Sequence, residues 1–100
     1  MNVKLINRGS EGELLLSGRL DSHTAPEVEE IFEDVAGQFN TVVLNLEELE
    51  YISSAGLRII RNLHVAMRKK DGELTLKNVK KLVMEVFEIT GFAGLLKIEN

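Results

Sequence analysis

The spacing of apolar positions predicts a chain that opens with two strands and then alternates helices with strands. Short apolar runs from Val3 to Asn7 and from Glu13 to Gly18 are typical of strands, and turn residues from Gly9 to Gly12 separate them. Two strands this close along a chain pair as an antiparallel hairpin, and we expect the first of them at the edge of the sheet.

A helix is predicted after this hairpin. Thr24 and Glu27 have the spacing of a capping box, and Pro26 falls in the first turn, where its missing N–H costs little. One apolar face follows, and it consists of Val28, Ile31, Phe32, Val35 and Phe39. Gly37 is predicted to end this helix by adopting a left-handed conformation.

The middle of the chain continues the alternation. The β-branched run from Thr41 to Leu46 predicts a buried strand, and helical spacing then extends from near Ala55 to Lys70. Asp71-Gly72 is typical of a turn, and the residues from Glu73 to Lys77 alternate like a half-exposed strand.

A third helix is predicted with Asn78 as its cap and Gly91 as its end, and its inner face consists of Leu82, Val83, Val86 and Phe87. The tail from Gly94 to Ile98 is either a last short strand or a packed extension. The order ββαβαβα predicts one α/β domain over residues 1–100, with a mixed, mainly parallel sheet of four or five strands. With 100 residues and 44% hydrophobic content, the chain has material for one core but not for a deep enclosed cleft.

Composition excludes several classes of function. A formal net charge of −4 disfavours a nucleic-acid partner, and the absence of cysteine excludes disulfides, thiolate metal sites and cysteine nucleophiles. The first residues, Met1-Asn2-Val3-Lys4, have no signal-peptide core, and no apolar run approaches the ~20 residues of a membrane span. We therefore expect a cytoplasmic protein without membrane insertion.

Enzyme function is not expected either. The chain has no glycine-rich phosphate-binding motif, and His23 and His64 are its only histidines. A hydrolase triad could be written from Ser54, His23 and Asp21, but the sequence shows no oxyanion hole or pocket to accompany it. The sequence predicts a non-catalytic protein with no cofactor and no metal site.

The informative chemistry lies where the third strand passes into the second helix, at Ser53, Ser54 and Gly56. The start of a helix leaves N–H groups unpaired and carries a partial positive charge, so a serine there either caps the helix or carries a stabilised phosphate. Gly56, which has no Cβ, allows either close approach by a partner or tight packing against the sheet. Arg58 and Arg61, one turn apart, form either a solvated helix face or a docking surface beside Ser54. The acidic stretch Glu47 to Glu50 is predicted to be the rim of a polar loop.

Three segments resemble a known family. The segment Leu44 to Leu57, with its Tyr-Ile-Ser-Ser-Ala-Gly-Leu end, closely resembles the signature of STAS domains, the fold of anti-sigma-factor antagonists. The segment Gly18 to Ala25 is similar to the Gly-x-Leu/Ile-Asp region of the family. Thr90-Gly91-Phe92 and Leu96-Lys97-Ile98 are similar to its closing stretch. The resemblance spans nearly the whole chain and implies the STAS fold.

The resemblance also implies a function in transcription regulation. In the best-known members, a partner with anti-sigma and serine-kinase activities phosphorylates a serine that corresponds to Ser54. The unphosphorylated antagonist binds this partner and frees the sigma factor, and the phosphorylated form lets go. Asp21 matches the loop aspartate of the family, near the phosphoacceptor. We expect Asp21, Ser53, Gly56, Arg58 and Arg61 to form the partner surface of a protein that is monomeric when free.

Two departures from the family pattern leave alternatives open. Ser53 replaces the aspartate that usually precedes the phosphoacceptor, and Ala55 replaces the second hydroxyl residue. Ser53 is therefore an alternative acceptor. Single STAS domains also act as non-phosphorylated adaptor subunits, for example in lipid-transport ATPase complexes, and in that role Ser54 would only cap the helix.

Overall fold

The computed structural model describes residues 1–100, which form a five-stranded sheet and four helices. In chain order the elements are β1 (Asn2–Arg8), β2 (Glu11–Leu20), α1 (Ala25–Gln38), β3 (Thr41–Ile52), α2 (Ser54–Lys69), β4 (Glu73–Lys77), α3 (Lys81–Thr90), α4 (Phe92–Leu95) and β5 (Lys97–Glu99). The strands lie in the order β1-β2-β3-β4-β5, with β1 antiparallel to β2 and every other neighbouring pair parallel. The predicted α/β domain with a mixed, mainly parallel sheet is confirmed.

All helices pack on one face of the sheet. Alternate residues of the central strands, such as Leu14, Leu44 and Leu76, are fully buried and share one cluster of 25 buried residues with side chains from the helices. The opposite face carries residues such as Glu13, which is buried by its neighbours but lies outside this cluster. Arg8 and Asn45 both donate hydrogen bonds to the Glu13 carboxylate, at 2.9 and 3.1 Å. The helices therefore leave one face of the sheet uncovered.

Two strands are longer than predicted. β2 begins at Glu11, so only Gly9 and Ser10 form the turn. Gly12 belongs to the strand, where it pairs with Asn7 and Val42, and the ring of Phe39 packs onto it. β3 continues to Ile52 instead of ending at Leu46, because β2 pairs with it, through two register shifts, up to Leu20 opposite Ile52. The acidic stretch is therefore an exposed part of a strand, and its prediction as a loop was wrong.

The end of α1 differs from the prediction. Gly37 lies inside the helix, which ends at Gln38, and Phe39 follows in an extended conformation. The Nζ group of Lys70 donates hydrogen bonds to the carbonyls of Ala36 and Phe39, at 2.7 and 3.0 Å. A lysine from the end of the neighbouring helix thus satisfies carbonyls that a left-handed glycine was expected to satisfy.

The third helix begins later than predicted. Asn78 adopts a left-handed conformation with φ 57° before the helix, and Lys80 takes the N-cap position. Val83 and Phe87 are buried as predicted and Val86 is partly buried, but Leu82 is 70% exposed because its side of α3 faces away from the core. Gly91, with φ 83°, ends α3 as predicted. The tail forms the short helix α4 and the short strand β5, which pairs with β4.

The direction of the strands determines where a site can form. β2 and β3 run parallel, so their carboxyl ends meet at one edge of the sheet, and the connections to α1 and α2 lie there side by side. In open parallel sheets this edge is the usual location of functional sites. The turn at Gly9 and Ser10 lies at the opposite edge, before β2 starts.

Candidate functional site

The connection from β3 to α2 consists of a single residue. Ser53 has extended dihedral angles, φ −102° and ψ 178°, and α2 begins with Ser54. The backbone N–H of Ser53 donates to the carbonyl of Leu20 at 2.9 Å, and its carbonyl accepts from the N–H of Leu57 at 2.9 Å. Ser53 therefore occupies the N-cap position of α2, and Ser54 is the first residue of the helix.

The two serine hydroxyls have different surroundings. The Oγ atom of Ser53 is buried and has no hydrogen-bond partner, so it does not cap the helix. Ser54 is exposed, in the first turn of α2, where backbone N–H groups have no helical partner. Of the two candidate acceptors, Ser54 presents the accessible hydroxyl.

Gly56 lies beneath this junction. A Cβ atom at Gly56 would lie 2.8 Å from side-chain carbons of Ile52 and Leu20, and 3.0 Å from the carbonyl oxygen of Leu20. Since real Cβ atoms do not approach other atoms this closely, the glycine allows the start of α2 to pack against the ends of β2 and β3. Of its two predicted roles, tight packing is confirmed, and direct contact with a partner stays a prediction.

The neighbouring β2–α1 loop is held by its own side chains. Asp21 Oδ1 accepts hydrogen bonds from the backbone N–H groups of His23 and Thr24, at 3.0 and 3.1 Å. Thr24 Oγ1 accepts from the N–H of Asp21 at 3.0 Å and donates to the carbonyl of Arg19 at 2.8 Å. The predicted capping box with Glu27 is absent, because the Thr24 hydroxyl is used within the loop.

These hydrogen bonds set the charge of the loop. The backbone N–H of Thr24 is the main reason that the pKa of Asp21 lies below its ordinary value, and the N–H of His23 lowers it further. Asp21 therefore carries a negative charge at neutral pH. It bonds to the backbone of His23 and not to its imidazole ring, so the arrangement lacks the contact that orients a histidine base.

The two loops touch each other. Leu20 and Ile52 are paired in the sheet, and the hydrogen bond from Ser53 to Leu20 continues this pairing into the loops. One pair earlier, the guanidinium of Arg19 lies 4.1 Å from the centre of the Tyr51 ring, and its Nε lies 4.0 Å from Asp21 Oδ2. The structure therefore places the Asp21 loop and the Ser53-Ser54 junction side by side at one edge of the sheet.

The two predicted arginines share a helix face with Ser54. Arg58 and Arg61 follow Ser54 by four and seven residues, which places all three side chains on one side of α2. Both arginines are exposed and neither forms an ion pair. The exposed face beginning at Ser54 is therefore positively charged.

Sequence reasoning missed an apolar surface on the other side of the junction. Leu82 and Ile89 are 70% and 86% exposed on α3, and Tyr51 is 40% exposed at the end of β3. The sequence contained a signal, because apolar residues of α3 extend over more of its circumference than one buried stripe requires.

Comparisons with known proteins point to one family. A family model described as the STAS domain matches residues 5–100. The chain is 41% identical over 86 residues to BtrV of Bordetella bronchiseptica, a candidate anti-sigma factor antagonist, covering 85% of the chain and 74% of BtrV. It is 29% identical over 89 residues to the anti-sigma-B factor antagonist of Listeria monocytogenes, covering 88% of the chain and 78% of that protein.

Solved structures have the same fold. The anti-sigma factor antagonist SpoIIAA gives TM-scores of 0.78 in its unphosphorylated form and 0.77 in its phosphorylated form. The matches cover 99% of this chain and 88% and 92% of SpoIIAA, at 18% and 19% sequence identity. No helix of the chain combines the length and the apolar character that a membrane crossing requires.

Proposed function

The chain belongs to the STAS domain family, and from this premise we propose that it is an anti-sigma-factor antagonist that is switched by phosphorylation of Ser54. The unphosphorylated protein, a cytoplasmic monomer without catalytic activity, binds a serine-kinase anti-sigma factor and frees the sigma factor. Phosphorylation ends this complex. The observation that carries the proposal is the exposed hydroxyl of Ser54 at the start of α2, beside a Ser53 hydroxyl that is buried.

The local structure accommodates a phosphate on Ser54. The phosphate adds about −1.5 to −2 charges at the positive end of α2, where the helix dipole contributes roughly 0.3–1 kcal/mol of stabilisation. Arg58 lies one turn further on the same face and has no other ionic partner. We therefore expect the phosphorylated domain to remain folded.

The complex with the partner, in contrast, does not accommodate a phosphate on Ser54. A phosphate that is enclosed between two packed proteins loses its water, and the negative charge of Asp21 in the neighbouring loop repels it. Penalties of this kind amount to several kcal/mol in buried interfaces. Reversible modification of one exposed residue thus changes partner binding while the fold persists.

Ser53 is the less suitable acceptor. Its hydroxyl oxygen is buried, and its backbone holds both Leu20 and the first turn of α2. A kinase would have to open the start of the helix before it could reach this oxygen. Phosphorylation as the switch is supported by a comparison with SpoIIAA, which has been solved in phosphorylated and unphosphorylated forms.

The test compares Ser54→Asp with Ser54→Ala in the full chain. The tagged domain is used to isolate its partner from its own cells, mass spectrometry identifies that partner, and the purified partner is then titrated with both variants. We expect Ser54→Ala to bind like the unmodified protein and Ser54→Asp to bind at least tenfold more weakly, with melting temperatures that agree. Incubation with the partner and ATP should phosphorylate the unmodified chain and Ser53→Ala, but not Ser54→Ala.

Two results would contradict the proposal. One is equal binding of Ser54→Asp and Ser54→Ala to a kinase-type partner. The other is co-purification of transporter subunits in place of a kinase, which would make the domain a non-phosphorylated adaptor. The control Ser10→Asp introduces the same charge at an exposed serine of the β1–β2 turn, at the opposite edge of the sheet, and should leave binding unchanged.

A further inference from the structure

α3 presents apolar side chains on two sides. Val83 and Phe87 are buried against the sheet, as in an ordinary amphipathic helix. Leu82, Val86 and Ile89 form a second stripe at spacings of four and three residues, and its two end members are the most exposed large apolar residues of the chain. Val86, between them, is partly buried against the core. Exposed apolar residues grouped on one side of a helix favour contact with another molecule, since their burial there removes apolar surface from water.

A groove runs between this stripe and the end of β3. It has a volume of about 310 Å³ and is lined by Glu50, Tyr51, Ile52, Leu82, Val83, Glu85, Val86 and Ile89. It exists because β4 ends at Lys77, opposite Asn45, so that β3 continues beyond its neighbour without a strand on that side. Its volume lies at the lower end of the range for small-molecule pockets. An open groove of this size suits side chains from a partner protein.

The groove is continuous with the proposed phosphorylation site. Tyr51 and Ile52 form one wall, and the next residues along the chain are Ser53 and Ser54. Ile52 also contacts the region beneath Gly56 at the start of α2. A partner element lying in the groove would therefore end beside the Ser54 hydroxyl.

The charge of the groove indicates the chemistry of its occupant. Its only charged lining residues are Glu50 and Glu85, and no basic residue lines it. A second copy of this chain is disfavoured, because the chain has a formal net charge of −4. Apolar side chains flanked by lysine or arginine complement both the apolar floor and the acidic rim.

We infer that this groove docks the apolar face of a basic amphipathic helix supplied by the partner. This inference adds to the proposed function, on which it rests, by naming the element of the partner that binds next to Ser54. A helix suits the groove because the stripe on α3 spans two turns, which matches the ridge that one helix offers to another.

The test uses a pair of synthetic helical peptides as probes. Both peptides have leucines at positions i, i+3, i+4 and i+7, and they differ in carrying either lysine or glutamate at all other positions. Amide shifts of the ¹⁵N-labelled full chain are followed during titration. We expect the lysine peptide to shift residues of the β3–α3 groove, Leu82→Glu to weaken its binding roughly tenfold, and the glutamate peptide to cause no saturable shift.

A matched control distinguishes binding in the groove from nonspecific binding to exposed apolar residues. Leu95→Glu makes the same substitution at a partly exposed leucine outside the groove and should leave the titration unchanged. Equal binding of both peptides, shifts centred on the uncovered face of the sheet, or full binding by Leu82→Glu would each overturn the inference. Because the peptides involve no phosphorylation, a failure here is distinguishable from equal partner binding by Ser54→Asp and Ser54→Ala, which would overturn the switch.

Discussion

The two loops at the carboxyl edge of the sheet use their hydrogen-bonding groups in opposite ways. In the β2–α1 loop, the side chains of Asp21 and Thr24 bond to backbone groups of the same loop. In the β3–α2 junction, Ser53 has no side-chain hydrogen bond and Ser54 is exposed. The two lie side by side, joined by the hydrogen bond from Ser53 to Leu20.

This difference suggests that the two loops have different functions. A loop that satisfies its own polar groups resists deformation and can position a charge, here that of Asp21. A junction that leaves a hydroxyl and helix N–H groups unpaired can accept a new group without first breaking existing bonds. Disrupting each loop in turn tests this difference, and the largest effect is expected at Gly56.

Gly56→Ala should separate the two loops. The added Cβ would lie within 3.0 Å of atoms of both Leu20 and Ile52, and backbone on one side prevents simple relief. We expect a loss of about 1–3 kcal/mol in the free energy of unfolding, measured by urea denaturation. Gly37→Ala is the control, since nothing lies within 4 Å of its Cβ position inside α1, and it should gain roughly 0.5–1 kcal/mol. Equal stability of Gly56→Ala and the unmodified chain would show that the loops are not tightly packed.

Thr24→Val should destabilise the β2–α1 loop, whose polar groups bond to one another. The substitution keeps the shape of the side chain but leaves the N–H of Asp21 and the carbonyl of Arg19 without their partner. We expect a loss of about 1 kcal/mol, measured by thermal unfolding. Thr24→Ser retains the hydroxyl and should lose less. If both variants unfolded at the same temperature, the hydrogen bonds of Thr24 would not be what holds the loop.

Ser53→Ala should behave unlike the loss of an ordinary helix cap. Replacing a capping serine by alanine usually costs about 1 kcal/mol, but the Ser53 hydroxyl is buried without a partner. We therefore expect no loss of stability, or a gain of up to about 1 kcal/mol, in the same unfolding assay. Ser54→Ala, at an exposed position, should change stability by less than about 0.5 kcal/mol. A loss of about 1 kcal/mol for Ser53→Ala would mean that its hydroxyl caps α2 in solution.

The smallest effect concerns the charge of Asp21. Since its folded pKa lies below its ordinary value, the ionised carboxylate stabilises the fold above the unfolded pKa of about 3.9, and this contribution is lost as the pH falls through the folded pKa. Melting temperatures of the unmodified chain and Asp21→Asn should therefore differ most above about pH 5 and converge at lower pH. A difference that stayed constant down to about pH 2 would assign the effect to shape, not charge.

Much of the fold was predictable because burial dominates its pattern. The apolar runs around Leu14 and Leu44 and the helical spacing around Leu63 each have one buried side, so their periodicity gives the element directly. The exceptions depend on distant residues. Gly37 does not end α1 because Lys70, from the end of α2, bonds to the carbonyls there. β3 extends through its acidic end because β2 lies beside it.

The site was predicted in outline only. The motif identified the residues at Ser53 and Ser54, but the burial of one hydroxyl and the exposure of the other depend on how α2 packs over Leu20. Leu82 was assigned to the core because apolar residues on α3 lie on two sides of the helix, and the sequence does not say which side faces the sheet.

The turn at Gly9 and Ser10 is a suitable position for attaching a label or a surface linker. It lies at the edge of the sheet opposite Ser54, and the chain contains no cysteine. A cysteine introduced in place of Ser10 would thus be a unique thiol, available for coupling to a biosensor surface or a fluorophore. A domain tethered through this thiol would present the edge of the sheet that carries Ser54 to the solution. A label on the thiol would report on complex formation without obstructing it.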